Sequence, residues 1–363
     1  MERRSVLWYV LVVTCCLHTI AFKGVDSATV CEYPAVYSFG DSLVDNGNSI
    51  AAFPVQFAYA EANPNGALWA SHAADRMCDG TLLVDFFSFG SSLGPSYPFL
   101  RSTATMPQFG SNFGAAGATA VNQTSEWIPN SGFNTPFSLN YQLQWLRRYK
   151  VRLDYYYQQS YVNQSLPSVA SLNSSLYIVQ AGFQDYFFSL YEQKSTTRRL
   201  LTKVDSVVSA IGDLLKGLAQ FGGANVVVVN LPPLGCFPAL LTIYPASVDK
   251  YDKYGCLSSL NKISTAHNTA LNSTVLTIRE KYRNVTFHYG DLFSAYTDIL
   301  KSPQTYMNLT VTPCTNSRSY LSWDGIHLSN AANRAVAAAF FSGKHFSPSL
   351  GCVANTTQWD NAF

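Results

Sequence analysis

Ser42, Asp324 and His327 are the residues of this chain whose types and settings could do chemistry together. Ser42 lies in Ser38-Phe39-Gly40-Asp41-Ser42-Leu43, and the other two in Trp323-Asp324-Gly325-Ile326-His327. A serine hydroxyl attacks a carbonyl only when a base takes its proton, and an imidazole oriented by a carboxylate is the usual base. The three types therefore point to nucleophilic hydrolysis. Taken singly, each has a plainer reading: Gly-Asp-Ser is ordinary turn chemistry, Ser or Asp can cap a helix, and His327 can sit at a helix start. Only the combination argues for catalysis.

The first motif follows Ala35-Val36-Tyr37, which reads as a strand, and the second precedes a helical stretch. Ala35–Phe39, Leu176–Gln180, Asn225–Asn230 and Val285–Tyr289 are the expected strands. The Asn-Val-Val-Val-Val-Asn run has the continuous apolarity of a strand buried on both faces of a parallel sheet. Between them the pattern predicts helices over Leu82–Ser92, Asn140–Arg152, Thr197–Gln220, Asp249–Lys281 and Ser329–Phe341. Alternating strands and helices imply an α/β fold, a parallel sheet with helices on both faces. Such sheets carry their sites beyond the carboxyl ends of the strands. Ser42 and the segment Gly182–Asp185 fall at two such ends.

Two further motifs are decoys. Gly90-Ser91-Ser92-Leu93-Gly94 fits the Gly-x-Ser-x-Gly spacing, but its preceding run is helical and Pro95 follows, whereas a nucleophile elbow joins a strand to a helix. Gly114-Ala115-Ala116-Gly117 lacks the spacing of a dinucleotide loop.

The 363 residues are 47% hydrophobic and 13% charged, with a net charge of +2. A sizeable core is affordable, and no basic stripe argues for nucleic acid. No linker or repeat divides the chain, so residues 29–363 read as one domain. Residues 1–28 read as a signal peptide: Met1-Glu2-Arg3-Arg4 is basic and Ser5–Phe22 mostly apolar, but His18 and Thr19 cut the run below the ~18–20 residues of a membrane span. No stable span is expected after its cleavage. Six cysteines remain beyond it, an even set suited to disulfides, with Cys236 and Cys256 the favoured pair across one loop. No zinc-like spacing occurs, and neither metal nor cofactor is expected. Candidate N-glycosylation sequons stand at Asn122, Asn163, Asn173, Asn272, Asn284, Asn308 and Asn355. Together these features predict a secreted or vacuolar glycoprotein.

Four stretches carry a resemblance: Cys31–Ser42, Ser111–Ala118, Leu231-Pro232-Pro233-Leu234-Gly235-Cys236, and Trp323–Asn333. Over nearly the whole mature chain the sequence resembles the plant secreted GDSL esterase/lipases of the SGNH hydrolase superfamily, of the early-nodulin-8 or α-fucosidase-like type. The resemblance implies a three-layer flavodoxin-like sandwich and a serine esterase or lipase acting through an acyl-enzyme. Its substrate would be a small ester, a lipid or an acylated sugar. It makes Ser42 the nucleophile, His327 the base and Asp324 its orienting group. It places the oxyanion donors at the N–H groups of Ser42 and Gly117 and at the residue that here is Gln184. Asparagine is usual at that last position, in Gly-x-Asn-Asp; this chain reads Gly182-Phe183-Gln184-Asp185. The longer side chain cannot place its donor identically without adjustment. The sequence thus predicts that Gln184→Asn raises kcat, and it keeps a carbohydrate- or ligand-binding protein of reduced turnover as the alternative. A carboxylate glycosidase would need two carboxylates facing across a cleft, and no such pair is distinguished.

Overall fold

The computed structural model describes residues 29–69, 75–101, 108–123, 134–159, 166–191, 193–247, 250–302 and 320–361. The expected signal peptide, Cys314, Asn163 and Asn308 lie outside these residues.

Among the described residues seven strands form one sheet: β1 (Val36–Gly40), β2 (Tyr97–Pro98), β3 (Ser111–Asn112), β4 (Leu176–Gln180), β5 (Asn225–Val229), β6 (Thr286–Gly290) and β7 (Phe346–Ser347). Their order is β2-β3-β1-β4-β5-β6-β7, and only β7 runs antiparallel to its neighbour. The central strands are in step. Gly40 sits opposite Gln180, Gln180 opposite Val229, and Val229 opposite Gly290. Their carboxyl ends therefore share one edge, and the sheet order reverses at β1, where such folds open a crevice.

Helices cover both faces. α2 (Leu83–Gly90), α9 (Leu292–Lys301) and α10 (Asn330–Phe341) form one interconnected group, with α2 against β1. α3 (Leu139–Gln158), α6 (Val204–Phe221) and α8 (Ser258–Lys281) form the other, with α3 against β1. The remaining α-helices among the described residues are α1 (Asn48–Ala52), α4 (Phe183–Tyr191), α5 (Thr197–Leu201), α7 (Pro238–Ile243) and α11 (Thr356–Asn361). β1 is buried at all five positions, as are β4 and all but the first residue of β5. The expected α/β sheet with helices on both faces is thus the observed fold, and the four expected strands match it to within a residue at each end.

The differences have local causes. One expected helix over Thr197–Gln220 is two, because Thr202 Oγ1 donates to the Arg199 carbonyl and Lys203 N–H turns to Leu200, a tighter bond that breaks the run. The helix expected from Asp249 starts at Ser258, because Asp252 Oδ1 accepts the Tyr254 and Cys256 N–H groups and folds that stretch into a turn. Ser329 lies outside α10 as its cap, accepting the Ala332 N–H.

The carboxyl end of β1 is pinned from outside the sheet. The buried Gln142 of α3 accepts the Gly40 N–H through Oε1 and donates Nε2 to the Gly40 carbonyl, both at 2.8 Å. Gly40 has φ +149°, and a Cβ there would lie 1.9 Å from the Gln180 carbonyl oxygen. Gly40→Ala is therefore expected to lower stability by at least about 1–3 kcal/mol, the range for forcing atoms into a packed interior. Urea unfolding checks this; an unchanged midpoint would show that the β1–β4 contact yields without cost.

Candidate active site

Ser42 follows β1 directly, and His327 lies just ahead of α10. Both border a cavity of about 240 Å³, together with Gly117, Gln184 and Asp324. The sequence separated these residues by up to 285 positions; the fold brings all five expected site residues to one cavity. The rest of the lining is largely apolar. Phe183, Phe187 and Tyr191, four apart on α4, stack in series with ring centroids 5.3 and 5.8 Å apart. That spacing places them on one helix face.

His327 is held by Asp324. Its Nδ1 lies 2.5 Å from Asp324 Oδ2, and a carboxylate only accepts, so Nδ1 carries the proton. Asp324 Oδ1 accepts the N–H groups of Ile326 and His327 at 2.8 and 2.7 Å. Desolvation works against the Asp324 charge, but His327 and these amides prevail and hold its carboxyl below the ordinary range. Burial likewise disfavours charge on His327, yet Asp324, with Asp41 and Asp45 beyond it, raises the imidazole above 6.5. The Trp323 ring lies nearly parallel to the imidazole, with centroids 6.5 Å apart. His327 Nε2 is buried and has no hydrogen-bond partner among the described residues. It is the basic lone pair of this tautomer.

The loops that carry Ser42 and Gly117 are tied together by Asp45. Its Oδ1 accepts Gly47 and Asn48 N–H at 2.8 and 2.7 Å, and its Oδ2 accepts Ser49 and Ala116 N–H at 3.1 and 2.7 Å. Asn48 Nδ2 donates to the carbonyls of Asn112 and Gly114, and Ser49 Oγ to that of Ala116. Gly117 takes φ +76°, a conformation open to glycine at no steric cost. The Gln184 N–H donates to Asp41 Oδ2 at 3.3 Å, and its Nε2 to Asn134 Oδ1 at 3.0 Å.

Two buried carboxyls flank this arrangement. Asp41 accepts Leu43 N–H besides Gln184 N–H; Asp185 accepts Ala120 and Val121 N–H at 2.8 and 3.2 Å. Burial is the larger influence on both, pushing Asp41 up to about 6 and Asp185 up to about 7 against the pull of those amides. Asp41, Asp45, Asn134, Gln142 and Asp185 were not singled out in the sequence. Only Asp45 had a local signal, a carboxylate just ahead of a helix start.

Other expectations resolve plainly. Ser92 ends no strand: it follows α2, at φ +60°, and accepts from Asn355 Nδ2. Cys236 pairs with Cys256, as expected. Cys31 pairs with Cys352, and Cys78 remains a buried thiol, so the even set is not wholly oxidised; burial raises that thiol well above its ordinary value. Asn122, Asn173, Asn272 and Asn284 are exposed, and Asn355 is half-buried. Among the described residues no helix is long and apolar enough to cross a membrane.

Comparison with known proteins gives a consistent result. The family described as GDSL-like Lipase/Acylhydrolase matches residues 36–340. The chain is similar to a GDSL esterase/lipase of Arabidopsis thaliana, 30% identical over 94% of each chain. It is similar to acetylajmalan esterase 2 of Rauvolfia serpentina, 28% identical over 85% of this chain and 89% of the relative. It is also similar to the GDSL esterase/lipase ENOD8 of Medicago truncatula, 25% identical over 88% and 89%.

The raised carboxyls have a consequence for stability. Asp41 and Asp185 hold protons in the folded state that the unfolded chain releases near pH 4. Between about pH 4 and 7 the native state therefore binds more protons, and stability falls as pH rises. Each group contributes at most about 1.36 kcal/mol per pH unit. Urea unfolding across pH 4.5–7.5 is expected to show this decline, and Asp185→Asn to flatten it. Stability rising across that window would contradict the assignment.

Proposed function

The chain belongs to the GDSL-like lipase/acylhydrolase family and is a carboxylic ester hydrolase, and we propose that it works through an acyl-enzyme on Ser42. Ser42 Oγ attacks the ester carbonyl carbon while His327 Nε2 takes its proton. Nδ1–H stays on Asp324, which stabilises the imidazolium. The oxyanion lies among the N–H groups of Ser42 and Gly117 and the Gln184 carboxamide. Collapse breaks the carbon–oxygen bond to the alcohol, which leaves with the proton from Nε2. Water, deprotonated by the same nitrogen, then releases the acid. No step calls on a cofactor.

The observation that carries this reading is the buried Nε2 of His327, without a hydrogen-bond partner among the described residues, in a side chain that lines the same cavity as Ser42. The apolar wall of Phe183, Phe187 and Tyr191 suits the acyl part of a small ester, a lipid or an acylated sugar. The binder alternative rested on Gln184. Gln184 lines the cavity together with Ser42 and Gly117, which supports turnover over binding alone. Secretion, to the outside or the vacuole, is part of the proposal, supported by the basic-apolar start, two disulfides and exposed sequons.

Hydrolysis of a p-nitrophenyl ester series by the secreted protein tests the reading, with Ser42→Ala expected to be inactive. The base must be neutral, so kcat/KM should fall with pH along an acid limb centred above 6.5. Asp324→Asn removes the influence that raises His327 and should move that limb to lower pH. It should also reduce kcat by roughly 10³–10⁴. Full activity in Ser42→Ala, or an acid limb indifferent to Asp324→Asn, would refute the roles assigned.

A further inference from the structure

The apolar part of the active-site cavity is a groove between two helices that run side by side. At one end the Phe183 and Phe237 rings, the latter just ahead of α7, lie with centroids 5.5 Å apart. Seven residues further along both segments, the Tyr244 hydroxyl donates to the Leu190 carbonyl. α4 and α7 are therefore parallel and in step. Each lines the cavity with residues four apart, Phe183, Phe187 and Tyr191 from α4, Ala239 and Ile243 from α7.

The groove has an inner and an outer end. At the inner end the Gln184 N–H donates to Asp41, next to Ser42, and the Ala239 N–H donates to the Gly325 carbonyl at 3.0 Å, two residues from His327. The start of each helix is thus tied to one of the two loops that carry the reacting groups. Exposure rises outward, from 1% at Phe183 and 7% at Phe187 to 38% at Ile243. The ammonium of the exposed Lys194 lies 4.9 Å from the Tyr191 ring centroid, where the apolar lining meets solvent. Apart from Asp324 and His327, no charged side chain among the described residues lines the cavity.

Resting on the acyl-enzyme reading above, we propose that this groove is the acyl subsite and fits the enzyme to straight acyl chains of medium length, about six to ten carbons, with Phe187, Tyr191 and Ile243 setting the length. The leaving alcohol oxygen faces His327 Nε2, which protonates it, and this leaves the acyl arm to enter the groove. Two measures agree on the length. From Phe183 to Tyr191 the helix advances about 12 Å, which an extended chain covers in about nine carbons at ~1.3 Å each along its axis. The cavity of about 240 Å³ holds about eight groups of ~30 Å³, the share of a water molecule and close to that of a methylene. An acetyl group leaves the outer rings untouched. Carbons beyond Tyr191 and Ile243 return to water and gain nothing from burial.

The test uses the full chain and p-nitrophenyl esters from acetate to palmitate, kept below their aggregation limits, with alkyl acetates from ethyl to octyl as the reverse series. kcat/KM should rise about threefold to fourfold per methylene up to about octanoate, and level off beyond decanoate. The alkyl acetates should show no such climb. Phe187→Ala should lower the ratio of kcat/KM for octanoate over butyrate by about tenfold. Ile243→Asp, which sets a charge at the outer end, should lower it too, and it carries the test if Phe187→Ala does not fold. A ratio is indifferent to the amount of folded enzyme, so a merely structural role would leave it unchanged. Acetate as the fastest ester, a climb that continues to palmitate, a climb confined to the alcohol series, or a ratio unchanged in Ile243→Asp would overturn the proposal. Equal hydrolysis by wild type and Ser42→Ala would instead overturn the acyl-enzyme reading, and the subsite with it.

Discussion

The carboxylate of Asp45 accepts backbone N–H groups from two loops at once, its own and the one after β3. The geometry of the candidate site depends on this. Ser42 and Gly117 sit on connections that leave different strands, and a sheet fixes only where those connections begin. Beyond the last ladder bond, a loop needs its own restraints to hold a donor at a set distance from a nucleophile. Asp45 supplies them from a buried position, where hydrogen bonds to a charged acceptor are strongest. Asn48 and Ser49 add side-chain bonds to the same loop, so the short helix α1 acts as a clamp across the crevice.

Charge is arranged around this clamp with different outcomes. Asp324 keeps its charge because an imidazole and two amides face it at the cavity edge, where its side chain is 23% exposed. Asp41 and Asp185 accept comparable amide bonds but lie deeper, and burial prevails over those bonds. The same residue type therefore orients an imidazole at one position and braces loops at two others. The loop anchors cost stability when ionised, a recurrent feature of sites that must hold polar groups away from water.

Much of this was legible in the sequence. The all-valine centre of β5 reads as a doubly buried strand, and the alternation of apolar runs pointed to the α/β class. Ser42, Asp324 and His327 announced themselves by type, and Cys236 and Cys256 by flanking one loop. What stayed hidden depends on contacts between distant positions. Asn134 meets Gln184 across 50 residues, Asp45 meets Ala116 across 71, and Cys31 meets Cys352 across 321. None leaves a periodic trace. The two-residue strands β2, β3 and β7 are too short for an alternation to show, and exist as strands only through their partners. Gln184 looked from sequence like a defect. Its partner Asn134 lies in an irregular stretch that no pattern marks.

The central claim is that Ser42 attacks a carbonyl whose oxygen is received by Ser42 N–H, Gly117 N–H and the Gln184 carboxamide. The most direct measurement is a crystal structure of the protein inactivated by an alkyl phosphonate, which mimics the tetrahedral state. The account predicts phosphorus bonded to Ser42 Oγ, with the phosphoryl oxygen about 2.7–3.1 Å from all three donors and Gln184 still bonded to Asn134. Phosphorus on another residue, or a phosphoryl oxygen turned away from Gly117 and Gln184, would contradict it.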